Sequence, residues 1–219
     1  AEAAGWLAPQ PVSLLPGVGP AMAKRLQAAG FSTLGQLAAL DVREAMRRFG
    51  EEGPALAARA RGEDTRRVDP DRETKSISAE TTFETDIAAQ DALESPLWRL
   101  CEKLARRLKE KDLAAAGVTL KLKTAGFATR TRAMRLPQPT RLPDVLFAAA
   151  RPLLAKEVDG TAFRLIGIGA QPLAPADTAD LGDLADPEAP KRAARWAAVE
   201  ALRAKFGEAA VLRGRGLKK

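Results

Sequence analysis

The sequence predicts an α+β chain, with a small all-α unit followed by a unit ordered β-α-β-β-α-β whose four-stranded antiparallel sheet carries two helices on one face. Three observations predict it. Over residues 1–62, apolar side chains recur at helical spacing in short runs broken by glycine and proline. Residues 63–75 are almost wholly polar, carry charges of both signs and include Pro70, as an exposed linker does. From Ser76 the apolar period drops to two, and periods of two and 3.6 then alternate to residue 174. A mobile connector and a C-terminal amphipathic helix are expected over 175–219.

Residues 11–15 form a brief apolar segment, and Pro16-Gly17-Val18-Gly19 is a turn. Pro20 opens a helix, because proline is tolerated in a first helical turn. Met22, Leu26 and Ala29 line its inner face and Gly30 ends it. Thr33 caps a short helix bearing Leu34, Leu37 and Leu40. Asp41 caps the next, with Val42, Ala45, Met46 and Phe49 on one face. A last helix over 55–61 stops at Gly62.

In the second unit, Ile77, Ala79, Thr81 and Phe83 alternate with Ser76, Ser78, Glu80 and Thr82, a half-buried strand. Asp91 caps a long helix whose core face is Leu93, Leu97, Leu100, Leu104 and Leu108. Val118, Leu120 and Leu122 alternate with Thr119, Lys121 and Lys123 in a second strand. A third strand spans 129–136, a helix 142–158 and a fourth strand 163–173. Residues 172–190 are rich in Pro, Ala and Asp, and Arg192 begins a helix with the stripe Trp196, Val199, Leu202 and Phe206.

The net charge is +7 and the pI about 9.8, which suits a polyanionic partner. With one cysteine, Cys101, and no histidine, the chain forms no internal disulfide, no Cys/His zinc site and no Ser-His-Asp triad. Cys101 lies in an apolar helical pattern and reads as a core residue. Asp69-Pro70-Asp71 and the Asp180, Asp183, Asp186 group sit in polar stretches and read as solvated charge, not metal ligands. No apolar run reaches the ~20 residues of a membrane span. A monomer in a reducing, cytoplasmic compartment is expected.

Two features carry chemistry. The first is Leu14-Leu15-Pro16-Gly17-Val18-Gly19-Pro20 followed by Lys24, Arg25 and Leu26, which resembles a helix-hairpin-helix. Gly17 and Gly19 let the backbone approach a phosphate closely. The turn and the helix start behind it present N–H donors, and Lys24 and Arg25 add positive charge. The second is an absence: between Asp112 and Asp144 there is no acidic residue, while Lys121, Lys123, Arg130, Arg132, Arg135 and Arg141 fall in that stretch. Lys121 and Lys123 lie opposite the leucines of their strand, on the uncovered face, with Ser76, Ser78 and Thr82 beside them on the first strand. Such a face matches a sugar-phosphate backbone. Arg130, Arg132 and Met134 share a face by period two, but the turn before them leaves open which face it is.

These residues, in this order, resemble the thumb and little-finger domains of Y-family (lesion-bypass) DNA polymerases, the bacterial polymerase IV branch in particular. The resemblance rests on 16–30, Thr33-Leu34-Gly35-Gln36-Leu37, Arg48-Phe49-Gly50, Ala60-Arg61-Gly62, 75–83, 118–124, Arg130-Thr131-Arg132 and 163–168. It implies a thumb over 1–62 that grips a duplex minor groove through Gly17, Val18, Gly19, Lys24 and Arg25. It also implies a little finger over 76–174 that lies along the major groove. There Ser76, Ser78, Glu80 and Thr82, with Lys121, Lys123, Arg130, Thr131, Arg132 and Arg164, would track the backbone. The expected partners are primer-template DNA and, as a second candidate, the sliding clamp. The family's palm and fingers, with their magnesium-binding carboxylates, precede the thumb, so no catalytic residue and no cofactor is expected within this chain. The alternative is a catalytically inactive paralogue that acts as a scaffold in a DNA-damage mutagenesis complex. Related chains carry a sliding-clamp peptide near the position of Asp183-Leu184-Ala185-Asp186-Pro187, which in this sequence lacks the usual glutamine and aromatic.

Overall fold

The computed structural model describes residues 2–64, 67, 69, 72–182, 186–207, 210 and 211. The chain divides into two compact units, 1–72 and 73–219.

Unit 1 is helical: α1 (Glu2–Leu7), α2 (Pro20–Ala28), α3 (Leu34–Ala38), α4 (Val42–Phe49) and α5 (Gly53–Ala60). Helix α1 carries no sharp apolar stripe, and the sequence pattern does not signal it. Thr33 starts α3 as expected, its N–H donating to Gln36 Oε1 at 3.0 Å. Asp41 Oδ1 caps α4 by accepting from the Glu44 N–H at 2.7 Å. The core gathers Val12, Leu26, Leu34, Leu37, Ala45, Phe49 and Leu56. Two expectations fail. Val42 and Met46 are exposed, because only the adjacent row of α4, Ala45 and Phe49, turns inward. Ala29 is likewise exposed at the end of α2. Gly53 opens α5 so close to α4 that an added Cβ would lie 2.0 Å from the Ala45 carbonyl oxygen.

Unit 2 is a sheet with helices on one face. Its strands are β1 (Ile77–Ile87), β2 (Leu113–Thr124), β3 (Thr129–Thr140), β4 (Phe163–Ala170) and the short β5 (Leu173–Pro175). They run in the order β1-β4-β2-β3, with β5 paired to the start of β2, antiparallel throughout. The sheet therefore has five strands rather than the expected four. The start of β2 is hidden in the sequence because Ala114-Ala115-Ala116 has no period to read. The expected fourth strand breaks at Gln171-Pro172, and β5 follows.

Helix α6 (Gln90–Glu110) lays Leu93, Leu97, Leu100, Leu104 and Leu108 into the core, all nearly or fully buried. Its N-cap is Ala89, so Asp91 sits inside the first turn, where a carboxylate still favours the helix N-terminus. Helix α7 (Pro143–Ala155) packs beside it through Leu146, Phe147, Ala150, Leu153 and Leu154. Cys101 is fully buried, and burial, with the neighbouring Glu102 charge, pushes its thiol up and leaves it without thiolate character.

The stretch after β5 is tied to the sheet. The Asp180 carboxylate accepts from the Thr140 hydroxyl and from the Arg141 N–H. Helix α8 (Ala189–Phe206) packs Trp196 into the core of unit 2. Its expected stripe is only partly right, since Leu202 and Phe206 are exposed. Arg203 is buried in their place and bridges to Glu102 of α6 at 3.1 Å and to Glu200 at 3.3 Å.

Candidate nucleic-acid interface

The glycine turn of unit 1 lies at the surface with its backbone exposed at Gly17 and Gly19. Gly17 has φ +89, a conformation that favours glycine, and Gly19 is the N-cap of α2. The helix begins at Pro20, so the N–H groups of Ala21 and Met22 belong to a helix start and lack intrahelical acceptors. Not every expected donor is free. The Val18 N–H is spent on Leu15 O at 2.9 Å and the Val18 side chain is buried, so Val18 holds the turn from inside. Lys24 and Arg25 are exposed on α2. Sequence reasoning missed Arg59 of α5, whose Nη1 donates to Pro16 O at 2.6 Å and braces the turn. An arginine 43 residues away leaves no local trace.

The uncovered face of the sheet in unit 2 is built in rows. One row reads Glu80, Gly167, Lys121, Thr131 across β1, β4, β2 and β3. The next reads Ser78, Gly169, Thr119, Ala133, and another Thr82, Leu165, Lys123, Thr129. The leucines of β2 face the helices, which puts Lys121 and Lys123 on the open side as the alternation predicts. The central strand contributes only glycine to two of these rows. The result is a trough of about 210 Å³ with a bare backbone floor at Gly167 and Gly169, walled by Ser76, Ser78, Glu80, Thr119, Lys121 and Thr131. Over that floor Lys121 Nζ pairs with Glu80 Oε2 at 2.9 Å. The two glycines are invisible as site residues in the sequence, because a strand glycine reads only as a weak point until its neighbours are known.

Arg130 and Arg132 stand elsewhere. They pair with Leu122 and Leu120, which places them on the helix side of edge strand β3. There Arg132 Nε meets Glu157 Oε1 at 2.6 Å, and Arg130 meets Asp159 Oδ2 at 3.1 Å and Thr161 Oγ1 at 3.1 Å. Thr131, between them, is on the open face. Hydrogen bonds from Thr161, then from Arg130, hold the Asp159 carboxyl down at about 2. A lowered folded-state value means that this carboxylate favours the fold above the ordinary pH ~4 and loses that contribution as pH falls towards 2. Carbon-detected NMR titration is expected to place the Asp159 midpoint near 2, and Thr161→Ala is expected to raise it.

Arg164 occupies an irregular step of β4, where the pairing with β2 shifts between Lys123 and Thr124. Its guanidinium lies 4.1 Å from the centroid of the exposed Phe127 ring, and Lys123 Nζ lies 5.2 Å from the same centroid.

Among the described residues no three carboxylates or thiols converge where a metal ion could be held. Asp183 and the Pro70-Asp71 pair lie outside the described residues, as do 183–185 of the segment compared with a clamp peptide. Among the described residues no helix is long and apolar enough to cross a membrane.

Residues 74–182 match the model of the impB/mucB/samB family C-terminal domain. DNA polymerase IV 1 of Mesorhizobium japonicum is 50% identical over 98% of this chain and 49% of its own length. DNA polymerase IV of Caulobacter vibrioides is 46% identical over 100% of this chain and 54% of its own. The DNA polymerase IV of Methanoculleus marisnigri is 40% identical over 76% and 46%. The chain spans about half the length of the curated relatives it matches.

Proposed function

Since the chain belongs to the impB/mucB/samB family of Y-family DNA polymerases, we propose that it is the part of a translesion polymerase that grips primer-template DNA. In this reading residues 1–62 act as the thumb, 63–75 as a linker and 76–174 as the little finger. The observation that carries it is the glycine-floored trough. A phosphodiester backbone is bulky and charged, and it needs a strip of sheet without side chains, bordered by hydroxyls and ammonium groups. The rows of Ser78, Thr119, Lys121 and Thr131 around Gly167 and Gly169 supply that strip. The exposed Gly17–Gly19 turn offers a second backbone contact of the same kind. Contacts of this sort hold a duplex without reading its sequence, as a polymerase that must advance one nucleotide at a time requires.

The nucleotidyl transfer of the whole protein then rests on magnesium held by residues other than these. This chain positions DNA and does not react with it, so alone it incorporates no nucleotide.

The test is a titration of primer-template DNA at several salt concentrations. Each phosphate contact adds about 0.9 to the slope of log affinity against log salt. Lys121→Glu combined with Lys123→Glu is expected to weaken binding and to flatten that slope by about two. Glu80→Gln, in the same titration, frees Lys121 from its partner and tightens binding by about two- to fivefold, the worth of an exposed ion pair. A slope indifferent to the lysine pair would take DNA off this face.

A further inference from the structure

The hairpin joining β2 to β3 carries a feature that the backbone-gripping face does not use. Residues 125–128 join the two strands, and the hydrogen bonds leave 125–127 as a three-residue turn. It is closed by the Thr124 N–H to Ala128 O bond at 2.9 Å and the Phe127 N–H to Thr124 O bond at 2.9 Å, with the Ala128 N–H also on Thr124 Oγ1 at 3.1 Å. The last residue of such a loop takes a left-handed conformation and is usually glycine. In this chain the glycine stands one place earlier, at Gly126, and the left-handed position, φ +65, is held by Phe127. Phe127 as a whole is 60% exposed. A large L side chain in that conformation is strained and adds nothing to the core, so packing does not account for it.

The surroundings of the ring say what it is suited to. Arg164 and Lys123 both sit over it, at 4.1 and 5.2 Å from the centroid. Lys123 lies on the same face of β2 as Lys121, two residues further along the strand, and Lys121 lines the trough. An exposed aromatic with an arginine plane beside it and a path of positive charge leading to it matches a nucleobase attached to its phosphates. A base inside a duplex has its faces covered by its neighbours, whereas an unpaired base has one to offer.

We propose that Phe127, with Arg164 and Lys123, forms a stacking platform for an unpaired base of single-stranded template DNA. The proposal rests on the DNA-gripping reading above. It adds a contact to the base itself, at the tip of the β2–β3 hairpin, to contacts that otherwise touch only backbone.

The test compares two ligands, a blunt duplex and the same duplex with a single-stranded template overhang, on the full chain and on Phe127→Gly and Phe127→Trp. Glycine suits the left-handed backbone, so Phe127→Gly keeps the fold, which circular dichroism checks directly. Phe127→Gly is expected to weaken overhang binding by about 5- to 150-fold, the range for losing one base-aromatic stack, and to leave blunt-duplex binding unchanged. Phe127→Trp is expected to retain overhang binding. 2-Aminopurine in the overhang is expected to be quenched by the parent chain and by Phe127→Trp, and to stay bright with Phe127→Gly. Equal losses on both ligands, or no loss on either, would overturn the platform while leaving the gripping role standing. Failure of the parent chain to bind even the blunt duplex would instead bring down the gripping role, and the platform with it.

Discussion

Gly53→Ala is expected to destabilise unit 1 by about 3 kcal/mol, towards the upper end of what overpacking costs. The backbone dihedrals of Gly53, φ −57 and ψ −52, are ordinary helix values that alanine adopts readily. Helix propensity alone would make the change favourable by about 1 kcal/mol. The effect therefore isolates packing. The new Cβ would fall 2.0 Å from the Ala45 carbonyl oxygen and 3.2 Å from the Phe49 Cβ, and both residues belong to α4, where backbone hydrogen bonds hold them in place. The helices must part, and Phe49, whose ring meets Phe31 edge-on at 5.5 Å, goes with them. Gly5→Ala is the matched control, because a Cβ there meets nothing within 4 Å. It is expected to be neutral or mildly stabilising. Hydrogen exchange read at the amides of α4 and α5 distinguishes the two. Equal protection in both variants would mean that α4 and α5 are less closely packed than the backbone indicates.

Arg203→Ala is expected to release α8 at a cost of about 3–5 kcal/mol, the range for removing one partner of a buried ion pair. Arg203 and Glu102 are each less than a tenth exposed, and the guanidinium also donates to Val211 O at 3.0 and 2.9 Å. Removing it strands the Glu102 carboxylate on α6. Trp196 is the natural reporter, since it is buried under the same helix with the Arg203 guanidinium 5.5 Å from its ring. Its emission should shift to longer wavelength, and trypsin should gain access to α8 while α6 and α7 stay protected. Replacing both charges, Arg203→Met with Glu102→Met, should recover most of the loss, because two apolar side chains leave no stranded charge. If the double variant behaves like Arg203→Ala, the helix is held by something other than this pair.

Much of the architecture is legible in the sequence, and the particular residues show why. The leucines of α6 and the alternation of β2 each repeat a single period over a long run, so pattern alone sets their faces. The glycine turn is legible because proline, glycine and flanking apolar residues speak to the same local geometry. What escapes depends on pairing between distant segments. The side taken by Arg130 and Arg132 follows from their register against Leu122 and Leu120, which no count along β3 supplies. The trough becomes visible only when β4 settles between β1 and β2 and brings Gly167 and Gly169 beneath Lys121 and Thr119. Arg203 is overlooked for a different reason, since an arginine in a helical stripe reads as solvent-facing unless its carboxylate partner, 101 residues earlier, is known.

The place of β4 in the sheet has a bearing on how the domain is made. As the chain leaves the ribosome, β1, α6, β2, β3 and α7 all emerge before the strand that joins β1 to the rest. The β2–β3 hairpin and the α6–α7 pair can assemble early from near neighbours, but β1 waits with both edges unmatched until residues 163–170 arrive to fill the gap. A nascent chain halted before that point would leave β1 and the inner edge of β2 unpaired, strand borders of the kind that join to other chains. The closing strand is only eight residues long, two of them bare glycines, and once it is seated only the three residues of β5 remain to be added to the sheet.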